Sequence, residues 1–441
     1  MADLRFSIDW MSVGNDAPVF RDSAARLAIH LDDICLTRNE DAWSKTVRDP
    51  VLVSTYPLAM WFASSWWRLN WEPLPVPTPI PSLEWRMAHE LGAANHGFVW
   101  PRILFAPDGE AMNVWAEAAG TIGQSVRYLS GLDGPQALKI SDFQRSIDVF
   151  IGDVLSRLAA MGHEESDLAR LWKLVCEDRT DPQANLTRRL EAQMGFEPEE
   201  CPEAIMTEAQ DLQTQTGVEA MSELAPVFGR REDGVALGEI AALGAAEGIR
   251  GRLQVKTEEF ATKPAMIAPW RRGVDMAKRL RAHLGNANNP INNATLFDLL
   301  GIAKDQGENW TIAGNRPVAV ARPIAGDLLN FLPRKRHPVA RRFEFARLLG
   351  DCLSEASKSG NWLVSSDLAT ARQKRQRAFA AEFLCPIEAL AGFLHNDYSE
   401  SAIEDAAEHF GVSERTVESL LANNGFVPAL IEPPVPYRLA A

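Results

Sequence analysis

Arg341-Arg342-Phe343-Glu344-Phe345-Ala346-Arg347-Leu348-Leu349-Gly350-Asp351 decides the fold of the second half of this 441-residue chain. Read as a helix, it sets Arg347 and Asp351 at i and i+4, so the two side chains face the same way. Two readings of the pair stay open. It forms an ion pair, with Arg375 close by to make a triad, or it is a surface pair worth under about 1 kcal/mol. About 28 residues further on runs Phe379-Ala380-Ala381-Glu382-Phe383-Leu384-Cys385-Pro386, and after it Phe410-Gly411-Val412-Ser413-Glu414-Arg415-Thr416-Val417.

In this order and at this spacing the three segments resemble the ImmA/IrrE family of zinc peptidases, over roughly Pro269 to Val427. That family sets R-R-F-x-x-A-H-E-x-x-H on a helix after a small sheet. A second helix carries E-A-N-x-F-A-A-x-L-L-x-P, and a short helical tail contains V-S. The F-A-A-E-F-L-x-P run is the more specific match, and the R-R-F-x-x-A lead-in supports it.

The resemblance also marks what is missing. A zincin needs two histidines four residues apart on a helix, where both imidazoles reach one tetrahedral metal, with a glutamate beside the first to activate the bound water. Here Arg347 stands at the first histidine position, Leu348 at the glutamate and Asp351 at the second histidine. The acid-and-asparagine positions of the second helix fall on Arg375, Gln376 and Arg377. A guanidinium keeps its proton and cannot ligate zinc, and leucine is no base. The resemblance therefore implies a zincin-like helical domain with a short sheet and a degenerate metal site, holding no metal and no cofactor. It leans away from enzymatic activity, because a fold without its site does not carry the chemistry. It implies instead a sensor, scaffold or regulator that binds a protein partner, in the mobile-element, repressor-control or phage-defence settings where family members sit.

Working outward, Pro269 opens a helix marked by Val274, Ala277, Leu280 and Leu284. Leu296–Leu300 follows, and then two expected strands, around Trp310–Ile312 and Pro317–Ala321. Upstream, Phe143, Ile147, Phe150, Ile151, Val154 and Leu158 recur at helical spacing, as do Leu168, Leu171, Trp172 and Val175, and then Leu186, Leu190 and Met194. Asp181-Pro182 and Pro202 punctuate these helices. Residues 230–251, rich in Gly and Ala, read as a linker. The first 125 or so residues read as mixed α/β, with strands at Leu4–Trp10, Arg26–Leu31, Ile103–Phe105 and Met112–Trp115. Between them one helix is expected, capped by Ser54 and carrying Leu58, Trp61, Phe62, Trp66 and Leu69 on one face. Prolines at 73, 75, 77, 79 and 81 make an extended connector. The expected architecture is α+β and predominantly helical, in three domains: a Trp-rich α/β domain over 1–125, a helical middle over 137–260 and the peptidase-like domain over 265–441.

Seven of the thirteen tryptophans fall between Trp61 and Trp115. They fill a small core, or Trp66, Trp67, Trp71 and Trp100 line a groove for a peptide, base or protein. Within the same region, Arg86-Met87-Ala88-His89-Glu90-Leu91-Gly92-Ala93-Ala94-Asn95-His96 begins like a zincin helix, but Ala93 holds the second histidine position. His96 is seven residues from His89, two turns or roughly 10 Å along a straight helix. His89, Glu90 and His96 are therefore binding candidates rather than ligands. A hydrolytic site joining them to Asp108 or Glu110 is the enzymatic alternative, which a shared pocket would favour and dispersal would remove.

A net charge of −14 repels nucleic acid on average, so DNA binding would need a local basic patch. The runs Arg334-Lys335-Arg336 with Arg341-Arg342, and Arg372, Lys374, Arg375 and Arg377, read as solvated faces. Near the end, Ile403, Ala406, Ala407 and Phe410, then Gly411, then Val417, Leu420 and Leu421 make a helix-turn-helix pattern. A DNA-reading role predicts a basic face on Glu414–Leu421, and an acidic face counts against it. Five scattered cysteines point to no disulfide framework. No stretch approaches the roughly 20 apolar residues of a membrane span, and the start lacks the pattern of a signal peptide. A cytoplasmic location is the default expectation, with homo-oligomers left open. No phosphate-cradling or dinucleotide glycine loop occurs, so nucleotide cofactors are unsupported.

Overall fold

The structure is a computed structural model, and it describes residues 2–11, 16–75, 81–118, 124–228, 236–256, 259–260, 267–311, 316–354 and 361–428. The class is α+β and predominantly helical, with small antiparallel sheets. No described helix is long and apolar enough to cross a membrane. After Cys201 the chain divides into two compact units.

The first unit opens with β1 (Leu4–Trp10), α1 (Pro18–Asp22), β2 (Ala24–Leu31), β3 (Ile34–Cys35), β4 (Asn39–Asp41), β5 (Val47–Arg48) and β6 (Val51–Ser54). Three helices follow, α2 (Tyr56–Ser64), α3 (Trp66–Trp71) and α4 (Leu83–His89). Then come β7 (Arg102–Pro107), β8 (Ala111–Glu117), β9 (Val126–Tyr128), β10 (Gln136–Lys139), α5 (Ile140–Ala160), α6 (Asp167–Thr180) and α7 (Pro182–Gln193). β2 pairs antiparallel with β1, β3 and β6, from Leu4 opposite Leu31 to Trp10 opposite Ala25. A second sheet runs β10-β8-β7 and a third β5-β4-β9.

All four expected strands exist, but the expected single helix is two. α2 stops at Ser64 and α3 starts at Trp66, and Ser54 bonds Ser23 through its hydroxyl instead of capping. α5, α6 and α7 follow the predicted periodicity. Ser166 caps α6, and Asp181 caps α7 with Pro182 at the first helical position, where its missing N–H costs nothing. Phe143, Ile147, Phe150 and Ile151 of α5 pack into the same core as Leu27, Phe62 and Phe105. For that reason the stretch 137–260 does not stand apart: its first three helices belong to the first unit and its remainder to the second. Of the alternating prolines, those at 77 and 79 lie outside the described residues.

The second unit comprises α8 (Glu203–Thr216), α9 (Val218–Phe228), α10 (Leu237–Ala242), β11 (Ile249–Arg252), α11 (Pro269–His283), α12 (Asn293–Leu300) and α13 (Lys304–Asn309). It continues with β12 (Ala319–Ala325), β13 (Leu328–Leu332), α14 (Pro338–Cys352), β14 (Leu363–Ser365), α15 (Ala371–Leu384), α16 (Ile387–Leu394), α17 (Glu400–Phe410) and α18 (Glu414–Asn423). The short sheet runs β11-β13-β12-β14, antiparallel throughout. Trp310 closes α13 instead of opening a strand, Ile312 lies outside the described residues, and the strand expected from Pro317 begins at Ala319. Part of the supposed linker becomes an edge strand, β11, because Ile249 and Gly251 turn inward against Phe331 and Leu329.

α14 is buried on nearly every side, with Phe345, Ala346, Leu348 and Leu349 in the core and Pro338 fixing its first turn. α11 lies close along α15: a Cβ on Gly273 would collide with the Arg375 carbonyl and the Phe379 amide nitrogen. One on Gly350 would meet the Phe379 ring at 2.5 Å, so α14 and α15 also touch through a glycine. These two close approaches set the helix framework around which the candidate site is built.

Candidate binding cleft

α14 and α15 carry the positions that the family resemblance assigns to the metal site. Leu348 is a core residue. Asp351 is fully buried, and its partner is not Arg347. Arg372 takes it, with Nε 3.0 Å from both carboxylate oxygens and Nη2 2.6 Å from Oδ2, while Arg375 Nη2 stands 3.8 Å away. The expected Arg347–Asp351 pair gives way because the Arg347 guanidinium is turned to Ser366 and Gln373, while Arg372, on the facing helix, meets the carboxylate through two nitrogens. Arg375 is close, as expected for a triad, but Arg372 takes the place in it expected of Arg347.

Arg347 is 5% exposed and donates to the Ser366 carbonyl at 2.6 Å and to the Gln373 side-chain oxygen. Gln373 is the hub of this region. Its Oε1 also accepts from the Ser366 amide, and its Nε2 donates to the Val364 carbonyl and to Glu223, each at 2.9 Å. Glu223 comes from α9 and also accepts the Thr370 hydroxyl at 2.8 Å. Burial pushes its carboxyl above the usual range, against the pull of Arg372, Thr370 and Gln373. Among the described residues no three His, Cys, Asp or Glu side chains gather as a metal donor set.

Beside this knot opens a cleft of about 880 Å³, walled by α11, α14, α15 and α18. Trp270, Val274, Phe343 and Ile387 supply apolar surface, and Trp270 is 49% exposed. The acids at its edge are already engaged. Arg334 pairs with Glu344 at 3.0 Å and with Asp367 at 2.6 Å, and Lys278 lies 3.9 Å from Glu382. Lys335, Arg347, Arg377 and Arg415 then leave the lining electropositive, on a chain of net charge −14. Arg377 is held by the Leu368 carbonyl at 2.9 Å. Burial, then the neighbouring Arg377 and Arg334, pushes the Arg347 guanidinium down to about 9, so it stays charged at neutral pH.

The basic runs are solvated only in part: Lys335 and Arg336 are exposed, but the others are engaged. Arg341 is spent on the Trp310 and Glu308 carbonyls, Arg342 on the Ile291 carbonyl, Arg334 on two acids and Arg372 on Asp351. Sequence reasoning missed Glu223, Gln373 and Trp270. Glu223 alone had a visible signal, a lone acid inside Ala220-Met221-Ser222-Glu223-Leu224-Ala225.

In the first unit the binding candidates turn inward. Trp66 and Trp67 are each 2% exposed and Trp100 is 7%. Trp66 meets Trp172 edge-on and takes Arg179 over its face, Trp71 is half-buried beneath Arg189, and Trp100 donates to the Asn95 carbonyl. These rings build a core and its rim, not a groove. His89 is fully buried, stacked on Trp85 at 4.0 Å, with Nδ1 3.0 Å from the Phe105 carbonyl and Nε2 3.1 Å from Glu72. Burial pushes its imidazole pKa down despite Glu72. Glu90 pairs with Arg86, and His96 is exposed just past a 3-10 turn. Asp108 accepts the Glu110 and Ala111 amides of its own turn. The structure does not bring His89, Glu90, His96, Asp108 and Glu110 together.

α17 and α18 form with Gly411 in the left-handed region between them, as the helix-turn-helix pattern predicts. Their charges are mostly acidic: Glu400, Glu404, Asp405, Glu408, Glu414 and Glu418 against Arg415. One face of α18 walls the cleft through Thr416, Leu420 and Asn423. Comparison of the chain with protein-family models, curated proteins and solved structures gives no match.

Proposed function

We propose that the second unit is a non-catalytic recognition module on a peptidase-like fold, and that its cleft holds an acidic segment of a protein partner. The observation that carries this reading is the charge of the cleft: seven cationic side chains against three acids in its lining, beside an apolar strip headed by an exposed tryptophan. Acidic side chains of a bound segment would complement the cations, and its apolar residues would cover Trp270, Val274 and Phe343. Arg347, Leu348 and Asp351 supply neither a metal donor set nor a base, so binding without cleavage is the chemistry left to them. The sensor, scaffold or regulator role, in a mobile-element or phage-defence setting, belongs to this proposal and rests on the family resemblance.

The test is direct binding by isothermal titration calorimetry. The probe is a synthetic peptide alternating glutamate and leucine, set against its lysine–leucine counterpart and a single-stranded oligonucleotide. The acidic peptide is expected to bind, to weaken with salt, and to lose about tenfold or more with Lys335→Glu combined with Arg415→Glu. Tighter binding of the oligonucleotide, stoichiometric zinc in the purified protein, or cleavage of the peptide overturns the reading.

A further inference from the structure

Two arginines in the cleft are held in an unusual way. Arg347 is almost wholly buried, yet its partners are a backbone carbonyl and an amide oxygen, neither bearing a formal charge. Its Nε has no hydrogen-bond partner among the described residues. Arg377, one turn beyond Gln373 on α15, is likewise held by a carbonyl alone. Glu344 and Asp367, which act on Arg347, are both committed to Arg334, which holds Asp367 through two N–H groups at 2.9 and 2.6 Å, and Glu223, which acts on Arg377, is bonded by Thr370 and Gln373. Buried charge is ordinarily paired, because an isolated guanidinium gives up its hydration with no return. Both residues line the cleft, and Arg377 is close enough to push the Arg347 pKa down. A single carboxylate balances one of two neighbouring guanidiniums, whereas a phosphoryl group carries close to two negative charges and three acceptor oxygens.

We propose that Arg347 and Arg377 form a seat for a phosphoryl oxyanion carried by the partner segment, making the cleft a phosphate-dependent recognition site. This rests on the reading of the cleft as a binding site for an acidic segment. The exposed Lys335 steers the anion inward, and Trp270 and Phe343 receive its apolar neighbours.

The experiment compares the glutamate–leucine peptide carrying one central serine with the same peptide phosphorylated on that serine. Inorganic phosphate serves as competitor, and the protein is the full chain, as wild type and as Arg377→Gln. Arg377 is the better probe because it is only half-buried, whereas Arg347→Gln risks the fold. Phosphorylation is expected to tighten binding about tenfold or more. Inorganic phosphate should compete, and Arg377→Gln should erase the gain, so that the variant binds the two peptides equally although the loss of one cleft cation weakens both. If both peptides bind the wild type equally, the seat is overturned and the cleft reading stands. If neither peptide binds, the cleft reading falls and takes the seat with it. Competition by inorganic phosphate that survives Arg377→Gln places the anion elsewhere and also overturns the proposal.

Discussion

Each unit buries a polar centre, and the two are built differently. In the first, Arg68 is 3% exposed, bonding Glu72 at 2.8 Å on one side and Glu197 at 2.8 Å on the other, while Glu72 also holds His89. Every member faces another member, and the set is closed. In the second, Asp351 and Arg372 close on each other, but Arg347 and Arg377 face a cleft with only neutral oxygens behind them. A closed set is a staple for the fold. An open set of one sign has no such closure, and under the proposed function a ligand supplies the other sign. Sequence spacing alone does not separate the two, because both are spelled with the same residue types.

The sharpest way to break the comparison is to open the closed pairs. Arg68→Ala leaves Glu197 without its cation and Glu72 with His89 alone, and Asp351→Ala strips Arg372 of its carboxylate; each should cost ~3–5 kcal/mol. Urea midpoints with unchanged slopes would show this, followed by tryptophan fluorescence for the first unit, which holds ten of the thirteen tryptophans. A loss below about 1 kcal/mol in either variant would mean that the pair is not the staple described here.

The next effect is one of sign. The folded-state pKa of His89 lies below the ordinary 6.5, so the unfolded chain binds more protons just below that value, and acidification weakens the first unit. The folded-state pKa of Glu223 lies above the ordinary 4.5, so the folded second unit keeps a proton that the unfolded chain releases, and its stability falls as pH rises above 4.5. Amide hydrogen exchange in α5 and in α15 should therefore shift in opposite directions between pH 5 and 7. Glu223→Gln keeps the bonds to Thr370 and Gln373 and should flatten the second response. Parallel shifts in both helices would contradict the assignment.

Much of the framework was legible in the residues. β1 ends where its apolar run ends, α5 follows its predicted face, and Ser413 caps α18 as the helix-turn-helix pattern requires. The break between α2 and α3 was not, because Trp61, Phe62, Trp66 and Leu69 keep helical spacing across Ser65 while the chain turns. Nor was the edge strand β11, whose four residues alternate inward and outward only once Phe331 is beside them. At the candidate site, spacing named the right helix positions but the wrong partners. Arg347 and Asp351 are neighbours along α14, yet the contact that decides each charge comes from α15, and Glu223 arrives from more than a hundred residues upstream. Such contacts depend on how helices pack, a quantity that local periodicity does not carry.

The smallest expected effect is the most telling about the difference between the two centres. Arg347→Met removes a buried cation but keeps the volume and apolar stem that pack inside α14's surroundings. The Ser366 carbonyl and Gln373 Oε1 lose one donor each, though Oε1 still accepts from the Ser366 amide. That loss is worth about 1 kcal/mol, and relief from desolvating the guanidinium offsets it. Thermal unfolding of Arg347→Met should therefore lie within about 1 kcal/mol of wild type, where Arg68→Ala loses several times more. A cost as large as that of Arg68→Ala would make Arg347 a second staple, and the two centres would differ in composition only.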